Sequence, residues 1–145
     1  MKAPQRPILL IDNDRDDHDL IRMALSEINC PYPMLSLYSA KDALEYLLTT
    51  SDQPFLLLCD IMLPIASGLE LRKTIEDTPV LKRKAIPYIF LTDFPSRENI
   101  AEAYRLSVQG FFSKPHEFDR LKLLLQRLIG YWEDCLHPYD PDVNA

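Results

Sequence analysis

Four places in this 145-residue chain carry side chains that could cooperate in moving a phosphoryl group: the triplet Asp12-Asn13-Asp14, then Asp60, Thr92 and Lys114. A carboxylate such as Asp60 is a competent nucleophile toward phosphorus and would become an aspartyl phosphate. Acids gathered beside it hold a hard cation such as Mg²⁺ through oxygen. With Asp60 and a nearby carbonyl, that cation would neutralise the phosphoryl oxygens. The Lys114 ammonium and the Thr92 hydroxyl would hold the oxygens that remain. Singly, each residue has a plainer reading. Acids after strands start helices, where negative charge suits the dipole; Thr92 serves as a turn residue and Lys114 as a solvated charge.

What joins these residues is their place relative to the elements that must carry them. Apolar strand-like runs alternate with helix-period segments five times along the chain. The expected strands are Ile8–Ile11, Met34–Tyr38, Phe55–Cys59, Tyr88–Leu91 and Phe111-Phe112 with its neighbours. The first helix is expected over about Asp16 to Asn29, and the second from Ala40 to Leu48 after the cap Ser39. Ser67-Gly68-Leu69-Glu70 has the capping-box pattern of a third helix, Pro95-Ser96 opens a fourth, and a fifth runs from Phe118 to Trp132. Strict alternation implies a parallel sheet covered on both faces with right-handed crossovers. The fold class read from this is α/β: a flavodoxin-like, doubly wound (βα)5 unit with a five-stranded parallel sheet in the order 2-1-3-4-5. All four polar places then fall at strand C-termini, on the rim where open α/β sheets bind ligands. One domain is expected over residues 6–133, followed by a loose tail over 134–145.

Composition narrows the setting. The chain is 47% hydrophobic and 26% charged, ordinary for a globular protein. No apolar stretch reaches the roughly 18 residues of a membrane helix, and Met1–Pro7 does not lead into a signal-peptide pattern. A net charge of −6 argues against nonspecific nucleic-acid binding. Cys30, Cys59 and Cys135 show no CxxC spacing and point to a reducing compartment, with Cys59 as core packing. The expected address is the cytoplasm.

With its elements in place, the chain resembles the receiver domain of two-component response regulators over nearly its whole length. The stretches that carry the likeness are Ile8–Asp14, Asp60-Ile61-Met62-Leu63-Pro64 with Gly68 and Glu70, Ile89–Thr92, and Gly110-Phe111-Phe112-Ser113-Lys114-Pro115. The segment from Thr78 to Pro87 looks like the longer loop of stand-alone receivers paired with phytochromes. The resemblance implies that Asp60 is the phosphoacceptor and that Asp12 and Asn13 stand where a pair of acids holds Mg²⁺, with Met62 giving its backbone carbonyl. It makes Thr92 the switch hydroxyl, Lys114 the phosphate-pairing lysine and Phe111 the aromatic rotamer switch. The phosphodonor would be a histidine kinase or histidine phosphotransfer protein. Signalling would pass through protein contacts, including a homodimer on the face of the fourth helix, fifth strand and fifth helix, and not through enzymatic turnover of a substrate.

Two positions depart from the family pattern. Asn13 replaces an acid that touches the metal, so weaker Mg²⁺ binding is expected unless Asp14 compensates. Asp93 follows Thr92 where a small residue is usual; it either screens the phosphoryl group or begins a turn. Three rival readings arise, of which two remain at this stage. One is a pseudo-receiver, an unphosphorylated binding module with Asn13 as the reason. Another is a haloacid-dehalogenase-type phosphatase with Asp12 as nucleophile, although Asp16 stands where Thr or Val belongs and no cap segment follows. An EF-hand fails, because Asp17 and Met23 occupy the required Gly and Glu positions. The fifth helix carries a stripe of Phe118, Leu121, Leu125, Leu128 and Trp132, widened by Leu123, Leu124 and Ile129 beyond what one sheet face needs. His18, His116 and His137 form no catalytic set, and His18 is expected at the surface.

Overall fold

The computed structural model describes residues 5–141 and 143, so the reading of Met1–Pro4 and the last part of the tail lie outside the described residues. Each strand is a short apolar run: β1 is Ile8–Ile11, β2 Met34–Leu37, β3 Leu56–Cys59, β4 Tyr88–Thr92 and β5 Gly110–Ser113. They pair in parallel in the order β2-β1-β3-β4-β5. The helices between them are α1 Arg15–Glu27, α2 Ala40–Thr49, α3 Gly68–Asp77, α4 Pro79–Lys82, α5 Arg97–Arg105 and α6 Phe118–Asp134.

Because side chains alternate across a strand, each continuous apolar run supplies both faces of the sheet. Leu9, Ile11, Leu57, Cys59, Tyr88 and Phe90 form one buried face with Ala43, Leu47, Leu71, Ile75 and Ala103 from α2, α3 and α5. Ile8, Leu10, Leu56, Leu58, Ile89 and Leu91 form the other, against Ile21, Leu25, Leu121, Leu125 and Ile129 from α1 and α6. Each fully buried Leu or Ile stabilises the fold by about 1.5–3 kcal/mol relative to exposure. Four helices begin on a side-chain cap: Asp14 accepts from Asp16 N, Ser39 from Asp42 N, Ser67 from Glu70 N and Ser96 from Asn99 N.

Two segments differ from the sequence reading. The loop expected over Thr78 to Pro87 contains the single turn α4, started by Pro79 with its preset φ and anchored by buried Leu81. One turn is too short to show a helical period. The tail is not loose where it is described. His137 donates from Nε2 to Ala85 O at 3.1 Å, Tyr139 OH donates to Arg83 O at 3.0 Å, and Asp140 meets Arg6 at 3.5 Å. It folds back over the pole opposite the strand C-termini.

Candidate functional site

The backbone ladder assembles the site before any side chain does. Asp12 N donates to Leu37 O at 3.1 Å, Asp60 N to Ile11 O at 2.9 Å, and Lys114 N to Thr92 O at 2.8 Å. Strands β2, β1, β3, β4 and β5 therefore deliver Asp12, Asp60, Thr92 and Lys114 to one rim, as the alternation required. Asp12, Asp60 and Thr92 are all buried.

The side chains then close on one another. Thr92 Oγ1 donates to Asp60 Oδ1 at 2.8 Å, and Met62 N donates to the same oxygen at 3.2 Å. Asp60 Oδ2 takes the Lys114 ammonium at 3.0 Å. That ammonium also lies 2.8 Å from Asp12 Oδ2, 2.6 Å from Asp17 Oδ2 and 3.7 Å from Asp93 Oδ2. One cation thus faces four carboxylates. Burial pushes the Asp12 carboxyl above its ordinary range, although the Lys114 contact and the bond from Asp14 N pull it down. For Lys114 burial works to lower the value, but the hydrogen bonds it donates to Asp12 and Asp17, the Asp12 charge and the bond to Asp60 together raise it well above that of an ordinary lysine.

The remaining expected residues fall as follows. Asn13 is exposed beside Asp12. Asp14 is exposed and its carboxylate caps α1, so it is committed to Asp16 N and does not turn into the site. The Met62 side chain is exposed, in keeping with a backbone role. Phe111 is half-buried with its ring 5.6 Å from that of Phe90. Gly68 has no room for a side chain, since a Cβ there would stand 2.3 Å from Asp60 O.

Sequence reasoning missed Asp17 and misplaced His18. Asp17 stands in the first turn of α1 and joins the site only because Lys114 reaches it from the far end of the chain. His18, expected at the surface, is 1% exposed. Its Nε2 donates to Asp12 O at 2.7 Å and its Nδ1 lies 2.8 Å from Ser36 Oγ. The burial follows from β2 and the residue after it, which bring Ser36 and Tyr38 to the ring; no pattern local to α1 reports that.

As a cation site, the rim offers oxygen only: the carboxylates of Asp12 and Asp60, the amide of Asn13 and the carbonyl of Met62. That donor set suits a hard ion such as Mg²⁺ and not a soft one. Among the described residues no three His, Cys, Asp or Glu side chains stand as a ready cage. A cation held there would need the amide and the carbonyl as well.

Comparison with known proteins agrees with the geometry. The response regulator receiver domain profile matches residues 8–126. Response regulator Rcp1 of Synechocystis sp. is 26% identical over 134 residues, covering 89% of this chain and 90% of Rcp1. A crystal structure of Rcp1 in its Mn²⁺-bound form superposes with a TM-score of 0.77 at 25% identity, over 91% of this chain and 97% of that one. The phosphorylated cyanobacterial phytochrome response regulator RcpA gives a TM-score of 0.80 at 25% identity, covering 92% and 97%. The bacteriophytochrome response regulator AtBRR gives 0.71 at 28% identity, covering 94% and 99%.

Proposed function

The chain belongs to the response regulator receiver family, and on that premise we propose that Asp60 is its phosphoacceptor, charged by a histidine kinase or histidine phosphotransfer protein. The names of its relatives point to a phytochrome-type sensor kinase as the donor class. The observation that carries the reading is the convergence of Thr92, Met62 N and Lys114 on the two oxygens of one buried carboxylate. An Asp60 oxygen attacks the phosphorus of a phosphoimidazole; the new O–P bond forms as the P–N bond breaks, and the imidazole leaves and takes a proton. Lys114 exchanges one of its carboxylate partners for a phosphoryl oxygen. The Thr92 hydroxyl turns from Asp60 Oδ1 to another phosphoryl oxygen, and that small movement opens space into which the Phe111 ring turns.

Domains of this family bind Mg²⁺. Here Asp12, Asn13, Asp60 and the Met62 carbonyl would hold it, and when bound it would neutralise phosphoryl charge during transfer. Catalysis by the chain is limited to its own phosphorylation and dephosphorylation. No described helix is long and apolar enough to cross a membrane, and the three unpaired cysteines suit a cytoplasmic setting. The output we propose is contact with protein, including a second copy, through α5, β5 and α6. A groove of about 910 Å³ supports this, running between the free edge of β5 and α6 and lined by Phe112, Leu123, Leu124, Tyr131 and Trp132.

The test is acetyl phosphate with Mg²⁺, read by intact mass. The wild-type chain should gain one phosphoryl group and Asp60→Asn none. A wild-type chain that stays unmodified would return the reading to an unphosphorylated module. Modification that persists in Asp60→Asn and vanishes in Asp12→Asn would move the nucleophile to Asp12.

A further inference from the structure

We propose that His18 is a positioning residue that fixes the peptide between Asp12 and Asn13, and so aims the two metal-site side chains of the first loop. This rests on the reading of that loop as a cation site, and goes beyond it by naming what holds the loop in shape.

The geometry is a closed clasp. His18 N takes up the start of α1 by donating to Asp14 O at 3.3 Å. Its side chain then folds back, and Nε2 donates to Asp12 O at 2.7 Å. A carbonyl only accepts, so Nε2 carries the hydrogen. At the other nitrogen, Ser36 Oγ lies 2.8 Å away, and Arg22 Nη2 donates into that same Oγ at 2.9 Å. With its oxygen already receiving Arg22, the Ser36 hydroxyl gives its own hydrogen to Nδ1. The bonds therefore run in one direction, from the Arg22 guanidinium through Ser36 and His18 to the Asp12 carbonyl, and each polarises the next.

Packing holds the ring to this line. It lies 4.4 Å from the Tyr38 ring, and the Arg15 guanidinium lies over the Tyr38 ring at 4.9 Å. The imidazole has no solvent-facing task, since it is almost fully buried and both nitrogens are engaged. What it does touch is the one peptide shared by Asp12 and Asn13. Groups that orient metal-binding residues without touching the metal commonly change affinity by about 10-fold or more when removed.

The experiment compares wild type, His18→Leu and His18→Gln. Mg²⁺ affinity is measured by calorimetry, and the metal-free imidazole nitrogens by long-range ¹H–¹⁵N correlation. Leucine fills the apolar slot but donates nothing. Glutamine can present an amide hydrogen near the place of Nε2–H. Expected are an Nε2–H signature in the wild type, a roughly tenfold weaker Mg²⁺ affinity in His18→Leu, and recovery to near wild type in His18→Gln. A purely structural role would leave both variants equally impaired, which would overturn the inference. So would an Nδ1–H tautomer, or unchanged affinity in a folded His18→Leu. A wild-type chain that binds no Mg²⁺ would instead overturn the cation-site reading itself, and this inference with it.

Discussion

At Asn13 the first loop presents an amide where the family pattern has a charge, and its neighbours do not replace it in kind. Asp14 is tied to the cap of α1. Asp17 reaches the site, but at 2.6 Å it is the closest partner of Lys114. Asn13→Asp should therefore tighten Mg²⁺ binding by about tenfold, equivalent to ~1.4 kcal/mol; equal affinities by calorimetry would show that the amide costs nothing. Lys114 gives a second prediction. The folded chain holds its proton more tightly than the unfolded chain does. Its ion pairs therefore stabilise fully below the ordinary lysine range, and that contribution is lost as pH climbs through the raised folded value. Urea titrations should show the wild type losing stability there and Lys114→Met losing much less. Near neutrality the same variant leaves Asp12, Asp17 and Asp60 facing one another and should be destabilised by about 2–3 kcal/mol. Mg²⁺ should restore much of that loss through binding linkage. At this scale Asp60, Thr92 and Lys114 were legible because each stands at or just past the end of an apolar run. His18 and Asp17 were not, because their contacts depend on β2 and on Lys114, far away in sequence.

Among the described residues four non-glycine positions have positive φ, Asn29, Ile65, Ala85 and Ser107, and the loop between β3 and α3 holds the β-branched one. Ile65 has φ of 69° and is fully exposed. A β-branched side chain in the left-handed region is uncommon and costs of order 1 kcal/mol or more. Nothing apolar covers it in return. Ile65→Gly should raise stability by about 1 kcal/mol and increase the melting temperature; a lower melting temperature would mean that the side chain makes up for its backbone. Gly68, three residues on, permits no such freedom, because Asp60 O occupies the space of its Cβ. The strands were readable as elements, since a buried parallel strand is a continuous apolar run. The single turn α4 was not, because four residues display no period, and Pro79 alone could equally have opened a turn.

For the whole molecule, the sheet separates two poles: a charged rim at the strand C-termini, and the opposite end, where the tail returns. Strand order followed from alternation, handedness and the fit of five units to the flavodoxin-like doubly wound order, while the side of the molecule on which the site lies followed from alternation. The excess width of α6 divides as its burial does: Leu121, Leu125 and Ile129 are core, while Leu123 and Tyr131 remain exposed. Leu123→Glu should therefore leave folding intact. If α5, β5 and α6 form the contact between copies, it should abolish any dimer seen by light scattering after beryllofluoride treatment. A mass that does not respond to beryllofluoride would uncouple this face from Asp60.

The pole opposite the rim holds the meeting of Arg6 and Asp140 at 3.5 Å. Through that contact the chain nearly closes a ring between residues 6 and 140. Linking residue 6 to residue 140 through a short linker and reopening the chain in the surface turn before β3 should yield a circular permutant with the rim of Asp12, Asp60 and Lys114 untouched. The same junction is a natural graft point: a reporter domain inserted there would stand a full strand length from Asp60, free of the chemistry it was meant to report.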